Sequence, residues 1–122
     1  MLFRSVDYLQ TIDDTRNKPV YLMGRGDMAV AALYCGIQDA RVAGLILENL
    51  PSTHLDGGPI LGIMQALDIP QAVGLMAPRK VALVNPSHSF WNWPSLAYQR
   101  AGCAANLIMA DSTKAACEAV TR

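Results

Sequence analysis

The chain has 122 residues, 52% of them hydrophobic and 16% charged, with ten basic and ten acidic side chains and a formal net charge of zero. That length and apolar content describe one compact domain, 1–122, and exclude a disordered tail. The charges are interspersed, with no basic run or aromatic-basic alternation, which excludes nucleic acid as a partner.

Leu2, Val6 and Leu9, with Phe3 and Tyr8 beside them, recur at helical spacing before a polar stretch from Thr11 to Lys18. The first element therefore reads as an amphipathic helix followed by a loop. After Pro19, Val20-Tyr21-Leu22-Met23 is an unbroken apolar run, the pattern of a strand buried on both faces of a parallel sheet. Met28 to Gln38 follows as an alanine-rich helix whose stripe of Ala29, Ala32, Leu33, Gly36 and Ile37 can approach that sheet closely. Val42 to Leu47 is the second strand, and Glu48 to Pro59 a loop. Two short helices come next, Ile60 to Leu67 and a second from Pro70 to just before Pro78. Lys80 to Val84 is the third strand. A turn-rich loop from Asn85 to Pro94 carries Phe90, Trp91 and Trp93. Ser95 to Arg100 reads as helix, Ala104 to Met109 as the fourth strand and Ser112 to Val120 as a closing helix.

This alternation predicts an α/β three-layer sandwich around a four-stranded parallel sheet in sequential order, with helices on its faces. Its functional loops belong at the carboxyl ends of the strands, in the segments that begin at Gly24, Glu48, Asn85 and Ala110.

Gly24-Arg25-Gly26-Asp27-Met28-Ala29 is the turn between first strand and helix, and two readings fit it. As a dinucleotide-binding G-x-G-x-x-A turn, Gly24 permits the bend, Gly26 lets a pyrophosphate approach and Ala29 allows close packing. Glu48, at the end of the next strand, would then hold a ribose hydroxyl. As a hydrolase nucleophile elbow of G-x-S-x-G type, the same turn has Gly26 where the serine belongs.

Asp7-Tyr8-Leu9-Gln10, Val20-Tyr21-Leu22-Met23-Gly24, Leu47-Glu48-Asn49-Leu50-Pro51-Ser52, Leu75-Met76-Ala77-Pro78-Arg79-Lys80-Val81 and Asn85-Pro86 extend the second reading. Together they resemble the carboxyl-terminal half of an α/β-hydrolase of the acetyl xylan esterase-like or dipeptidyl-peptidase-like kind. The resemblance implies a truncated domain that lacks the amino-terminal sheet strands and their share of the oxyanion hole. It also implies a triad with all three places vacant. Gly26 stands at the nucleophile, Asn85, Ser87 and His88 surround the acid position, and Asp111 lies where a histidine should follow the fourth strand. The expectation is a catalytically vacant module that acts in binding or assembly. The alternatives are a small nucleotide-binding protein and an esterase completed by a partner chain.

So much apolar side chain on a small body predicts self-association, and the resemblance sharpens this to a homo-oligomer built on the exposed first strand or a bare sheet face. Cys35, Cys103 and Cys117 lack the spacing of a zinc site or disulfide framework and read as free thiols, with Cys35 a core filler. Met1 to Leu9 fits neither a signal segment nor a spanning helix. A cytoplasmic protein without membrane contact is expected, unless the chain is a piece of a secreted parent. His54 and His88 lack a third metal ligand and read as loop histidines, exposed or stabilising turns, so no metal or cofactor is expected. Asp27 complements the helix dipole beside Arg25, and Trp91 and Trp93 are expected to cover apolar surface left by the missing half-sheet.

Overall fold

In the computed structural model, which describes residues 2–56, 62–86 and 91–122, four parallel strands pair in the order of the chain. They are β1 (Val20–Arg25), β2 (Val42–Glu48), β3 (Lys80–Val84) and β4 (Leu107–Ala110). The α-helices among the described residues are α1 (Leu2–Thr11), α2 (Asp27–Gln38), α3 (Ile69–Gly74), α4 (Asn92–Arg100) and α5 (Thr113–Thr121).

In a sequential sheet every crossover steps the same way, and crossovers of one hand then put all connecting helices on one face. α2, α3 and α4 follow that rule. Leu45, Leu47, Val81 and Leu83 turn towards them and pack with Leu33, Ile69, Val73, Met76 and Tyr98. The period of two along a strand sends Ile46, Ala82, Val84 and Ala110 to the opposite face, where α5 covers them with Ala116 and Val120. The three-layer sandwich and strand order expected from the sequence are therefore present. α5 lies over β2, β3 and β4, and Met23 on β1 is 58% exposed.

Several boundaries differ from the sequence reading, each for a local reason. β1 runs on to Arg25, so Gly24 belongs to the strand and only Gly26 makes the turn. α3 starts at Ile69 because Asp68 and Gln71 close a capping box around its first turn. α4 begins three residues earlier than expected, at Asn92, because Pro94 sits in its first turn, where a missing N–H costs no helical bond. Ala104–Asn106 is a single 3₁₀ turn, and β4 starts only at Leu107. The helix expected from Ile60 falls partly outside the described residues, and its described part holds one 3₁₀ turn, Ile63–Gln65.

Two contacts hold the ends of α2. At its start, a Cβ on Gly24 would lie 2.4 Å from the Met28 carbonyl oxygen and 2.7 Å from the Ala29 Cα. Only glycine lets the helix cross the strand so closely, because the obstacle is backbone that cannot rotate away. At its end, Arg79 Nη1 donates to the carbonyl oxygens of Gly36 (2.7 Å), Asp39 (3.1 Å) and Val42 (3.1 Å). A cation thus gives the Gly36 carbonyl in the last turn of α2 a donor, and adds to the Asp39 carbonyl, which also accepts from the Val42 N–H at 3.2 Å. Arg79 is held in turn, since the buried Tyr98 phenol donates to its carbonyl at 2.8 Å. Beside it, Arg41 grips Asp39 through Nε (2.9 Å) and Nη2 (2.6 Å) and reaches Asp7 of α1 at 2.7 Å. The Arg41 hydrogen bonds hold the Asp39 carboxyl below the usual carboxylate range.

Gly24→Ala is expected to cost about 1–3 kcal/mol in urea unfolding, since backbone must move to admit the methyl group. An unchanged midpoint would show that α2 can lift away from β1 without penalty. Arg79→Ala should cost about 2–3 kcal/mol by removing charge-assisted hydrogen bonds to the Gly36, Asp39 and Val42 carbonyls. Arg79→Lys should recover only part of that loss, because its ammonium is more strongly hydrated and sits on a side chain one atom shorter than the path to Nη1.

Candidate functional site

The carboxyl ends of the strands carry the chemistry, beginning with the turn after β1. Gly26 has φ 57° and ψ −127°, a region that glycine enters freely and other residues enter under strain. The strand therefore bends sharply into α2, and space above the bend is open: a Cβ on Gly26 would meet nothing within 4 Å. The Gly26 N–H donates to the Glu48 carbonyl at 2.9 Å, fastening the bend to the end of β2. Glu48 is buried, its side chain 10% exposed. Its Oε1 accepts from Arg25 Nη2 at 2.8 Å and its Oε2 from Thr113 Oγ1 at 3.3 Å. Ala29 is fully buried in the helix packing, and Asp27 opens α2.

Next along the same edge, Asn49 and Asn85 follow β2 and β3 with φ of 49° and 52°. Asparagine is among the few side chains that tolerate this left-handed region. The Asn49 N–H donates to the Val84 carbonyl at 3.0 Å, which sets the two strand ends together. Between them opens a cleft of ≈ 380 Å³ lined by Asn49, Leu50, Pro51, Ser52, Asp56 and Asn85. Asp111 ends the row after β4. It is exposed and lines a second cleft of ≈ 230 Å³ with Pro86, Trp91, Met109 and Ala110. Gly26 and Asp111 thus both stand on the carboxyl edge of the sheet. His88, Ser87, Ser89 and Phe90 lie outside the described residues.

Of the two alternatives expected for His54, exposure is overturned, for it is 5% exposed. Its Nε2 is 2.7 Å from the Tyr34 hydroxyl, and the two rings stack. Its backbone N–H donates to Asp68 Oδ1 at 2.8 Å, the same oxygen that caps α3 through the Ile69 N–H at 2.8 Å. One short loop is thereby latched to α2 and α3. Burial raises the Tyr34 phenol, with the Asp68 charge adding to it. Burial also pushes the Asp68 carboxyl upward, but hydrogen bonds from Thr53, His54 and Ile69 outweigh this and hold it below its ordinary value. The capping pattern at Asp68 and Gln71 was visible in the sequence. The contact between Tyr34 and His54, twenty residues apart, left no local signal.

The tryptophans also sit elsewhere than expected. Trp91 joins the main core against the sheet, and Trp93 lies across Gly74 of α3, so both serve the packing of α3 and α4. Cys35 is buried inside α2, and burial raises its thiol, which suits a core filler. Among the described residues no cluster of three histidine, cysteine or carboxylate side chains could hold a metal ion, and no helix is long and apolar enough to cross a membrane. Comparison with known proteins finds no match among family models, curated proteins or solved structures.

Because the folded Asp68 value lies below the unfolded one, its contribution to stability is complete above about pH 4 and fades as pH falls through the folded value. Asp68→Asn keeps a capping oxygen but not the charge. The stability gap between wild type and Asp68→Asn should be constant from about pH 7 to about pH 5 and shrink below about pH 4. Urea unfolding across that range reads it, and a gap that persists at acid pH would remove the charge from the explanation.

Proposed function

We propose that this chain is a catalytically vacant α/β-hydrolase-like module that acts by binding or assembly. The observation that carries the reading is Gly26: the backbone of a nucleophile elbow, sharply bent and open above, with hydrogen where the attacking oxygen would stand. Gly24 supports it by packing α2 onto the strand below the bend. The groups needed to assist a nucleophile are missing too, since the only histidines are His54, locked into the Tyr34 and Asp68 cluster, and His88, which precedes β4 in the chain.

The dinucleotide reading of Gly24, Gly26, Ala29 and Glu48 asks for a free turn amide and a free carboxylate. Here the Gly26 N–H is committed to the Glu48 carbonyl, and the Glu48 carboxylate to Arg25 and Thr113. A partner chain that completes an esterase could supply an acid and a base, but not a hydroxyl at Gly26.

With p-nitrophenyl acetate the protein is expected to match the buffer rate, and Gly26→Ser to do the same, because a hydroxyl without a base is not activated. The variant should lose about 1–2 kcal/mol of stability from the positive φ alone, since its Cβ has room. Wild-type turnover that survives Cys35→Ala and His88→Ala would overturn the proposal. So would saturable binding of a nicotinamide nucleotide, by calorimetric titration, that Glu48→Ala abolishes.

A further inference from the structure

The loops that leave the carboxyl ends of β3 and β4 diverge. The two strands are neighbours, and their last paired residues are Val84 and Ala110. Yet the chain after β3 goes to α4, on the Leu83 side of the sheet, while the chain after β4 goes to α5, on the Val84 side. Loops that part towards opposite faces leave the space between them unfilled, and in doubly wound sheets the crevice formed in this way is where ligands lie. Here it is the cleft of ≈ 230 Å³, lined by Pro86 and Trp91 from the β3 side and by Met109, Ala110 and Asp111 from the β4 side.

Two polar groups in that lining are unused by the fold. Trp91 is 6% exposed, and its Nε1–H is buried without an acceptor, an unfavourable state for a donor removed from water. Asp111 is exposed and among the described residues makes no hydrogen bond or ion pair. Nor does it cap α5, since that role falls to Ser112, whose Oγ accepts from the Ala115 N–H at 3.2 Å. Pro86, Met109 and Ala110 are apolar. The cleft therefore runs from a solvent-facing carboxylate to a core-facing indole between apolar walls, and the one charge in its described lining is negative.

Resting on the binding reading of the module, we propose that this crevice takes a small organic ammonium ion. The cation pairs with Asp111, an apolar body of about ten non-hydrogen atoms lies against Pro86 and Met109, and an acceptor oxygen at the far end meets the Trp91 N–H. Asp111 repels an anion of the same shape, whereas a neutral alcohol keeps the walls and loses only the ion pair.

The test titrates the full chain, isotope-labelled for NMR, with three probes of one shape: para-methoxybenzylamine, para-methoxybenzyl alcohol and para-methoxybenzoate. Trp91 and Trp93 are the only tryptophans, so Trp93→Phe leaves one indole N–H signal, that of Trp91. The amine should move it saturably and bind about threefold or more tightly than the alcohol, with the gap closing as salt rises, and the benzoate should leave the signal in place. Asp111→Asn should bring the amine down to the affinity of the alcohol, and para-methylbenzylamine, which lacks the acceptor oxygen, should bind more weakly than its methoxy counterpart. An unmoved Trp91 signal at millimolar amine, equal affinity for amine and benzoate, or indifference to Asp111→Asn would overturn the proposal. Esterase turnover with amine binding intact would sink only the vacant-enzyme reading, and an inert protein that ignores the amine would sink only the crevice.

Discussion

The close approach of α2 to β1 at Gly24 is the constraint on which the carboxyl edge of the sheet depends. With no Cβ in the way, the Met28 carbonyl rests directly on β1, and the chain has only Gly26 in which to turn from one element into the other. A turn that short must pass through a positive φ at Gly26, and it delivers the Gly26 N–H to the end of β2. The bend, the first turn of α2 and the Glu48 cluster are thus one construction. Its geometry is set by an atom that is missing from Gly24, and its chemistry by one that is missing from Gly26.

The other end of α2 is held by different physics. Arg79, which precedes β3, reaches across to carbonyls at the end of α2 and the start of β2, while Tyr98 of α4 holds the arginine's own backbone. One guanidinium therefore ties the segment just before β3 to the end of α2 and the start of β2, 37 to 43 residues earlier in the chain. Steric fit fixes the edge where ligands would approach, and charge-assisted hydrogen bonding fixes the opposite edge. The helix cannot shift along the sheet without losing one or the other.

Features governed by near neighbours were legible in the sequence. The four strands, their parallel order and the alanine-rich α2 arise from apolar runs and periodicity, and so does the glycine turn after β1. Ends set by capping were less so: the capping box at Asp68 and the proline in the first turn of α4 moved boundaries by a few residues, although both patterns are written in the chain. Features that depend on distant partners were not legible. The burial of His54 against Tyr34 and the three carbonyls around Arg79 arise only once the helices have docked. Neutralisation of Glu48 by Arg25 likewise needs adjacent strands in register. At the candidate site, the sequence pointed to Gly26 as the decisive position, and the dihedral angles there add a bend that only glycine makes without strain.

The order of the strands carries a consequence for how the molecule is made. Each strand pairs with the one synthesised just before it, so the sheet can grow from one side as the nascent chain emerges, without threading a later segment between earlier ones. Its second face behaves otherwise. Ile46, Ala82 and Val84 wait for Ala116 and Val120, which come after all four strands. Until Thr113–Thr121 leave the ribosome the growing sheet is oily on one side, the interval in which a chaperone would have something to hold.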